Sequence, residues 1–171
     1  FGEVFYKTVR ASGVIPQISI LLGDCAGGAA YAPALTDFII MVRDKSTMFL
    51  TGPTVIKQAT GEVVTKEEIG GPILHAATTG LAHFLADSVD DALEIARELL
   101  SFLPANNCVS QPSSQATNIS ASSAIANLIP QDTTKPYDVL DVIGEIADDS
   151  HFLEVHRLFA PNIVTGFARL A

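Results

Sequence analysis

Gln17-Ile18-Ser19-Ile20-Leu21-Leu22-Gly23-Asp24-Cys25-Ala26-Gly27-Gly28-Ala29-Ala30-Tyr31-Ala32-Pro33-Ala34-Leu35 is the stretch whose reading decides the fold. Residues 17–22 are rich in apolar and β-branched residues, as a buried parallel strand would be. The glycine-rich turn that follows at once leads into a run of small residues, read as a short helix beginning near Ala29. Strand, tight turn and helix in that order form the repeating unit of a layered α/β fold.

Working outward, Phe1, Val4, Phe5, Thr8 and Val9 share one face at helical spacing, and Ser12-Gly13 ends that run. Downstream, residues 38–42 read as a second strand and 47–50 as a third. Pro53 opens a helix behind Thr51-Gly52, because its missing N–H costs nothing in a first turn. Thr65-Lys66-Glu67-Glu68 has the pattern of a capping box, and Gly70-Gly71-Pro72 that of a sharp turn. Residues 88–103 form the clearest helix, with Val89, Ala92, Leu93, Ala96, Leu99 and Leu100 on one face and Pro104 as its stop. The alternation over 1–104 points to mostly parallel strands. Residues 105–126 carry no charge and little periodicity, and read as a linker. Beyond it, a helix over 137–148, a strand at 152–155 and a strand over 162–170 are expected.

The composition narrows the function. The 171 residues are 48% hydrophobic and only 17% charged, which suits a subunit that buries much of its outside in an assembly. No apolar run reaches the roughly 18 residues of a membrane span. A net charge of −9 without basic patches argues against nucleic acid. Cys25 and Cys108 fit neither a metal spacing nor a disulfide framework, and Cys25 reads as a buried, reduced thiol. The chain opens on Phe1, already inside a helical pattern, so it is expected to start within a longer protein.

Gly27-Gly28 is the candidate chemical centre. Paired glycines at a strand–helix turn let a ligand approach the backbone with no Cβ in the way. Their N–H groups can converge on one oxygen and stabilise an enolate formed from a thioester carbonyl. Ala26, Ala29, Ala30 and Ala32 leave room for a bulky ligand. The competing reading is that the glycines serve only a turn or close packing. His75 and His83 either flank a pocket or are satisfied structural histidines. No Gly-x-Ser-x-Gly, His-Glu-x-x-His or phosphate-loop pattern is present.

Residues 23–38, as quoted through Leu35 and continuing Thr36-Asp37-Phe38, resemble the carboxyltransferase (β) subunits of propionyl-CoA and related acyl-CoA carboxylases. Further matches follow in order: Phe49-Leu50-Thr51-Gly52-Pro53, Thr60-Gly61-Glu62, Glu67-Glu68-Ile69-Gly70-Gly71, His75, Ala82-His83, and Leu99-Leu100-Ser101-Phe102-Leu103-Pro104. Pro136-Tyr137-Asp138 and Ala160-Pro161-Asn162-Ile163-Val164-Thr165-Gly166-Phe167-Ala168-Arg169 are similar to the opening of the family's second domain.

The resemblance implies a crotonase-like layered α/β fold. Residues 1–104 would be the later part of the first, acyl-CoA-binding domain, 105–126 a linker, and 127–171 the start of the second, carboxybiotin-side domain. It implies a carboxyltransferase that moves a carboxyl group from carboxybiotin to the α-carbon of a short acyl-CoA such as propionyl-CoA. Gly27 and Gly28 would hold the thioester oxygen, with Ala26, Ala29 and Tyr31 against the substrate and no metal. Biotin would arrive on a biotin carboxylase or carrier partner, the biotin anion would act as base, and the protein would be a cytoplasmic homo-oligomer. A biotin-dependent acyl-CoA decarboxylase, a crotonase-type hydratase and a catalytically inactive fragment stay open as alternatives. By the same resemblance, the isolated chain is expected to be inactive, since the second oxyanion site would lie beyond Ala171. Three positions depart from the family pattern: Asp24, where Pro or a small neutral residue is common, Pro72 and Ala76.

Limited proteolysis should cut first within 105–126, the one long segment with neither charge nor periodicity. Mass spectrometry of the early fragments checks this, and protection of the segment while other loops are nicked would move the boundary.

Overall fold

The computed structural model describes residues 1–112, 125–132 and 134–170. Its centre is strand β3 (Phe38–Val42), which pairs in parallel with β1 (Ile18–Leu21) on one side and β5 (Phe84–Ala86) on the other. Alternate β3 side chains go to opposite faces. Ile40 and Val42 join one core layer and Ile39 and Met41 the other, all essentially inaccessible to solvent. A strand buried on both faces has no room for polar residues, which is why this segment is an unbroken apolar run.

A second parallel pair, β2 (Asp24–Ala26) with β4 (Thr47–Phe49), lies beside the glycine turn. Helix α1 (Gly2–Ala11) precedes the first strand, with an exposed Glu3–Lys7 pair 2.9 Å apart. The glycine turn leads into a single 3-10 turn (Gly27–Ala30) and α2 (Tyr31–Ala34), a shorter start than one continuous helix from Ala29. Helix α3 (Pro53–Thr60) begins at the expected proline. The Thr65 capping box forms at α4 (Lys66–Gly70): Glu68 N donates to Thr65 Oγ1, and Thr65 N donates to Glu68 Oε2 at 2.7 Å.

Gly70 and Gly71 are needed for close approach. A Cβ at Gly70 would sit 2.2 Å from the Met48 carbonyl oxygen, and one at Gly71 2.7 Å from the Glu67 carbonyl oxygen. After them come α5 (Pro72–Leu74) and an unanticipated π turn over His75–Thr79. Pro72 opens α5, where its missing N–H is harmless. Ala76 is buried in the core.

Helix α6 (Val89–Phe102) is capped by Ser88, whose hydroxyl accepts from Asp91 N at 3.1 Å. Its buried stripe is Ala92, Ala96, Leu99 and Phe102, so the face is rotated from the expected one. Leu93 and Leu100 are exposed, because only one side of the helix reaches Ile40, Val42, Phe84 and Ala86.

Of the segment 105–126, residues 113–124 lie outside the described residues. Then α7 (Ile125–Leu128) and α8 (Val139–Ile146) follow, the latter capped by Asp138 Oδ1 accepting from Leu140 N. An antiparallel hairpin of β6 (Phe152–Val155) and β7 (Thr165–Ala168) ends the chain; β7 is shorter than the expected 162–170.

The hairpin rests on the same core as the parallel sheet. Leu153, Val155 and Phe167 pack with Val42, Phe84 and Phe102. Arg169 stacks 4.3 Å over the Phe102 ring and donates to the Ser101 carbonyl at 2.6 Å, satisfying a carbonyl near the C-terminal end of α6. His151 Nε2 lies 2.6 Å from Glu98 Oε1.

His83 closes the seam between the sheet and the hairpin. Its Nδ1 accepts from Ile39 N at 3.1 Å, its carbonyl accepts from His156 N, and its ring stacks on His156 with centroids 4.5 Å apart. Burial first, then the neighbouring His156, push its pKa down from 6.5 to about 4. The unfolded chain therefore binds a proton that the folded chain refuses between about pH 6.5 and 4. Stability from this group is intact above pH 6.5 and is lost as pH falls through that window. Thermal melts across the window should show the loss, with the curve of His83→Gln flatter by up to one proton.

Candidate active site

The Gly27-Gly28 turn is held by the β2–β4 pair on one side and α2 on the other. Ala26 is extended (φ −121°, ψ 148°), and the chain then reverses through Gly27 at φ 61°. That left-handed conformation costs an L-residue with a Cβ roughly 1–2 kcal/mol, so glycine is required there on backbone grounds.

Gly28 has ordinary dihedrals, and the nearest atom to a Cβ built on it is in the Phe1 ring, 4.0 Å away. Its open side therefore does not serve packing. The N–H groups that open a helical turn have no carbonyl one turn back to bond, which leaves them available to an oxygen ligand. Ala26 and Gly28 are exposed, Ala29 is half-buried and Ala30 is buried. The small side chains thus flank the turn without roofing it.

Tyr31 is about half exposed (49%), with its ring edge on Phe5 at a centroid distance of 6.0 Å. It also borders an apolar cavity of about 530 Å³ walled by Ala30, Met48, Leu50, Ile56 and Ile69. His75 reaches the same cavity but is spent on structure. Its Nε2 bonds the Met48 carbonyl at 2.7 Å and its Nδ1 meets Thr79 Oγ1 at 3.0 Å. His83 lines a different cavity, with Arg43 and His156, so the two histidines do not share a pocket.

Asp24 stands three residues before Gly27, and its carboxylate is fully engaged. Lys66 Nζ donates to Oδ2, and Thr47 Oγ1 donates to Oδ1 at 2.8 Å. Those bonds, Lys66 first, hold its pKa below the usual carboxylate value. Burial pushes the Cys25 thiol up, which disfavours the thiolate and matches an inert cysteine. Among the described residues, no group of three or more His, Cys, Asp or Glu side chains could hold a metal ion. No helix there is long and apolar enough to cross a membrane.

The five site residues expected from the sequence lie along one stretch, Ala26 at the end of β2, Gly27, Gly28 and Ala29 in the 3-10 turn, and Tyr31 at the start of α2. The partners of Asp24 were missed. Thr47 and Lys66 are 23 and 42 residues downstream, and no local pattern signals that strand register brings them together.

Comparison with known proteins follows the same lines. The whole chain, residues 1–171, matches the family model described as "Carboxyl transferase domain". It is 51% identical over 171 residues to a putative propionyl-CoA carboxylase beta chain of Bacillus subtilis, covering 99% of this chain and 33% of that protein. It is 46% identical to the methylmalonyl-CoA decarboxylase subunit alpha of Veillonella parvula, covering 99% of this chain and 34% of the relative. The crystal structure of transcarboxylase 12S with hydrolysed methylmalonyl-coenzyme A bound superposes with a TM-score of 0.93. The identity is 49%, covering 98% of this chain and 33% of that one. The chain spans about a third of the length of the relatives it matches. The layered α/β architecture is the crotonase-like fold expected from the sequence. The chain belongs to the carboxyl transferase domain family.

Proposed function

We propose that these residues form the acyl-thioester half of a carboxyltransferase site in a biotin-dependent acyl-CoA carboxylase. The observation that carries this reading is Gly28: its Cβ side is open, and its backbone is not one that demands glycine. A glycine there makes room for a ligand.

In this reading a thioester carbonyl enters at the open side of Gly28 and accepts from the N–H groups of the Gly27-Gly28 turn. Donors fixed before the reaction stabilise the charge that grows on that oxygen as the α-carbon becomes nucleophilic. Ala26 and Ala29 let the sulfur and its neighbours lie flat, and Tyr31 walls the substrate beside its contact with Phe5. The substrate is a short acyl-CoA such as propionyl-CoA.

Biotin, brought by a carrier or biotin carboxylase partner, would supply the carboxyl group and the base. Of the two glycine pairs, Gly70-Gly71 has no space for a Cβ, let alone a ligand, and Gly27-Gly28 is given to the thioester. No residue of this chain is therefore assigned to the biotin ring. The division into a first unit (1–104), a linker (105–126) and the opening of a second unit (127–171) belongs to this proposal. The hairpin lying on the first core would be the seam between the units. A cytoplasmic homo-oligomer completes the reading.

A second reading has its own support. The Veillonella relative is named for decarboxylation, and it matches about as well as those named for carboxylation. One site that stabilises the same enolate serves transfer in either direction.

Gly28→Val in the complete protein should fold, since the space beside it is open, and should lose carboxyl transfer. The added side chain keeps the N–H but displaces the thioester and misaims that donor, and loss of one oxyanion donor typically costs about 2.7–4 kcal/mol, or roughly 100- to 1,000-fold in kcat. Steady-state carboxylation of propionyl-CoA, with a thermal melt as control, checks this. A folded variant within about twofold of wild type overturns the assignment.

A further inference from the structure

An acidic residue is a poor neighbour for a site that must gather negative charge. Asp24 lies on β2 three residues before Gly27, which at about 3.3 Å per strand residue puts the two backbone positions on the order of 10 Å apart. Its two oxygens are both taken, Oδ1 by Thr47 and Oδ2 by Lys66. The lysine comes from the first turn of α4, and α4 is placed against β4 by the Gly70 close approach to the Met48 carbonyl. The fold thus delivers a cation to the carboxylate three residues before the turn. Lys66 is half exposed (53%), so solvation alone would satisfy it, and the pairing is not forced by burial.

We infer that Lys66 is a positioning residue of the electrostatic kind: it neutralises Asp24 so that the enolate charge at Gly27-Gly28 is not opposed. The inference rests on the oxyanion reading of that turn. Its physical content is a sign rule. Removing the cation while keeping the carboxylate leaves a net negative charge facing the enolate, and slows the reaction. Removing the carboxylate while keeping the cation leaves a net positive charge, which does not slow it. Removing both restores neutrality. A bridge that served only to fasten α4 to β2 would behave otherwise, since either single change would break it equally.

The test uses four variants of the complete protein, assayed for kcat of carboxyl transfer to propionyl-CoA. One charge about 10 Å away, at an effective dielectric between 20 and 80, changes the rate by about two- to fifteenfold. Lys66→Met should therefore fall by that factor. Asp24→Asn should equal or exceed wild type, and the double variant should return to within about twofold of it. Lys66→Arg should retain the wild-type rate. The Lys66→Met deficit should shrink as salt is raised from 0.01 to 0.3 M, because the Debye length drops below the separation.

Equal losses in both single variants overturn the inference and make the pair a structural latch, as does a double variant no better than Lys66→Met. Gly28→Val is run alongside. If it is unaffected, the oxyanion reading fails; if it loses activity while the sign pattern is missing, only the role of Lys66 fails.

Discussion

Strand β3 has no solvent-facing side, and the rest of the molecule is arranged by that fact. Ile39 and Met41 point into one layer and Ile40 and Val42 into the other, so each face needs its own cover. On one face the cover is α6 and the β6–β7 hairpin. On the other it is the segment that runs from β1 through the glycine turn, together with β4 and the His75 turn. The site therefore sits on the reverse side of the layer that the hairpin closes. Buried Ala30, directly after the turn, anchors the glycines to that inner layer while Gly28 stays exposed.

What could be read from the sequence follows from how local each cause is. Apolar run length placed β3 at Phe38–Val42, and the capping box and Pro53 placed two helix starts, since a few adjacent residues carry those signals. The glycine turn was legible for the same reason. The rotated face of α6 was not: Leu93 and Leu100 suit a buried stripe as well as Phe102 does, and only the position of the opposing sheet decides. The π turn over His75–Thr79 was likewise invisible: no local pattern marks it, and its His75 ring bonds the carbonyl of Met48, 27 residues away.

The same logic separates the two glycine pairs. Both look like turns in sequence. At Gly70-Gly71 the glycines exist because other atoms are already there, and at Gly28 because none are. Sequence composition does not contain that distinction; the neighbouring backbone does. Asp24 presents a parallel case, since a carboxylate beside a candidate enolate site looks unhelpful until Thr47 and Lys66 are placed around it.

The placement of the hairpin has a consequence for synthesis. Residues Val42, Phe84, Leu99 and Phe102 leave the ribosome before Leu153, Val155 and Phe167, which cover them. At about 5–20 residues per second, the roughly 65 residues between Phe102 and Phe167 take about 3–13 s to emerge. Throughout that interval α6 alone covers this face, and the part that the hairpin closes stays open. The order of translation thus leaves an apolar strip waiting for its cover, the kind of transiently exposed surface through which nascent chains associate.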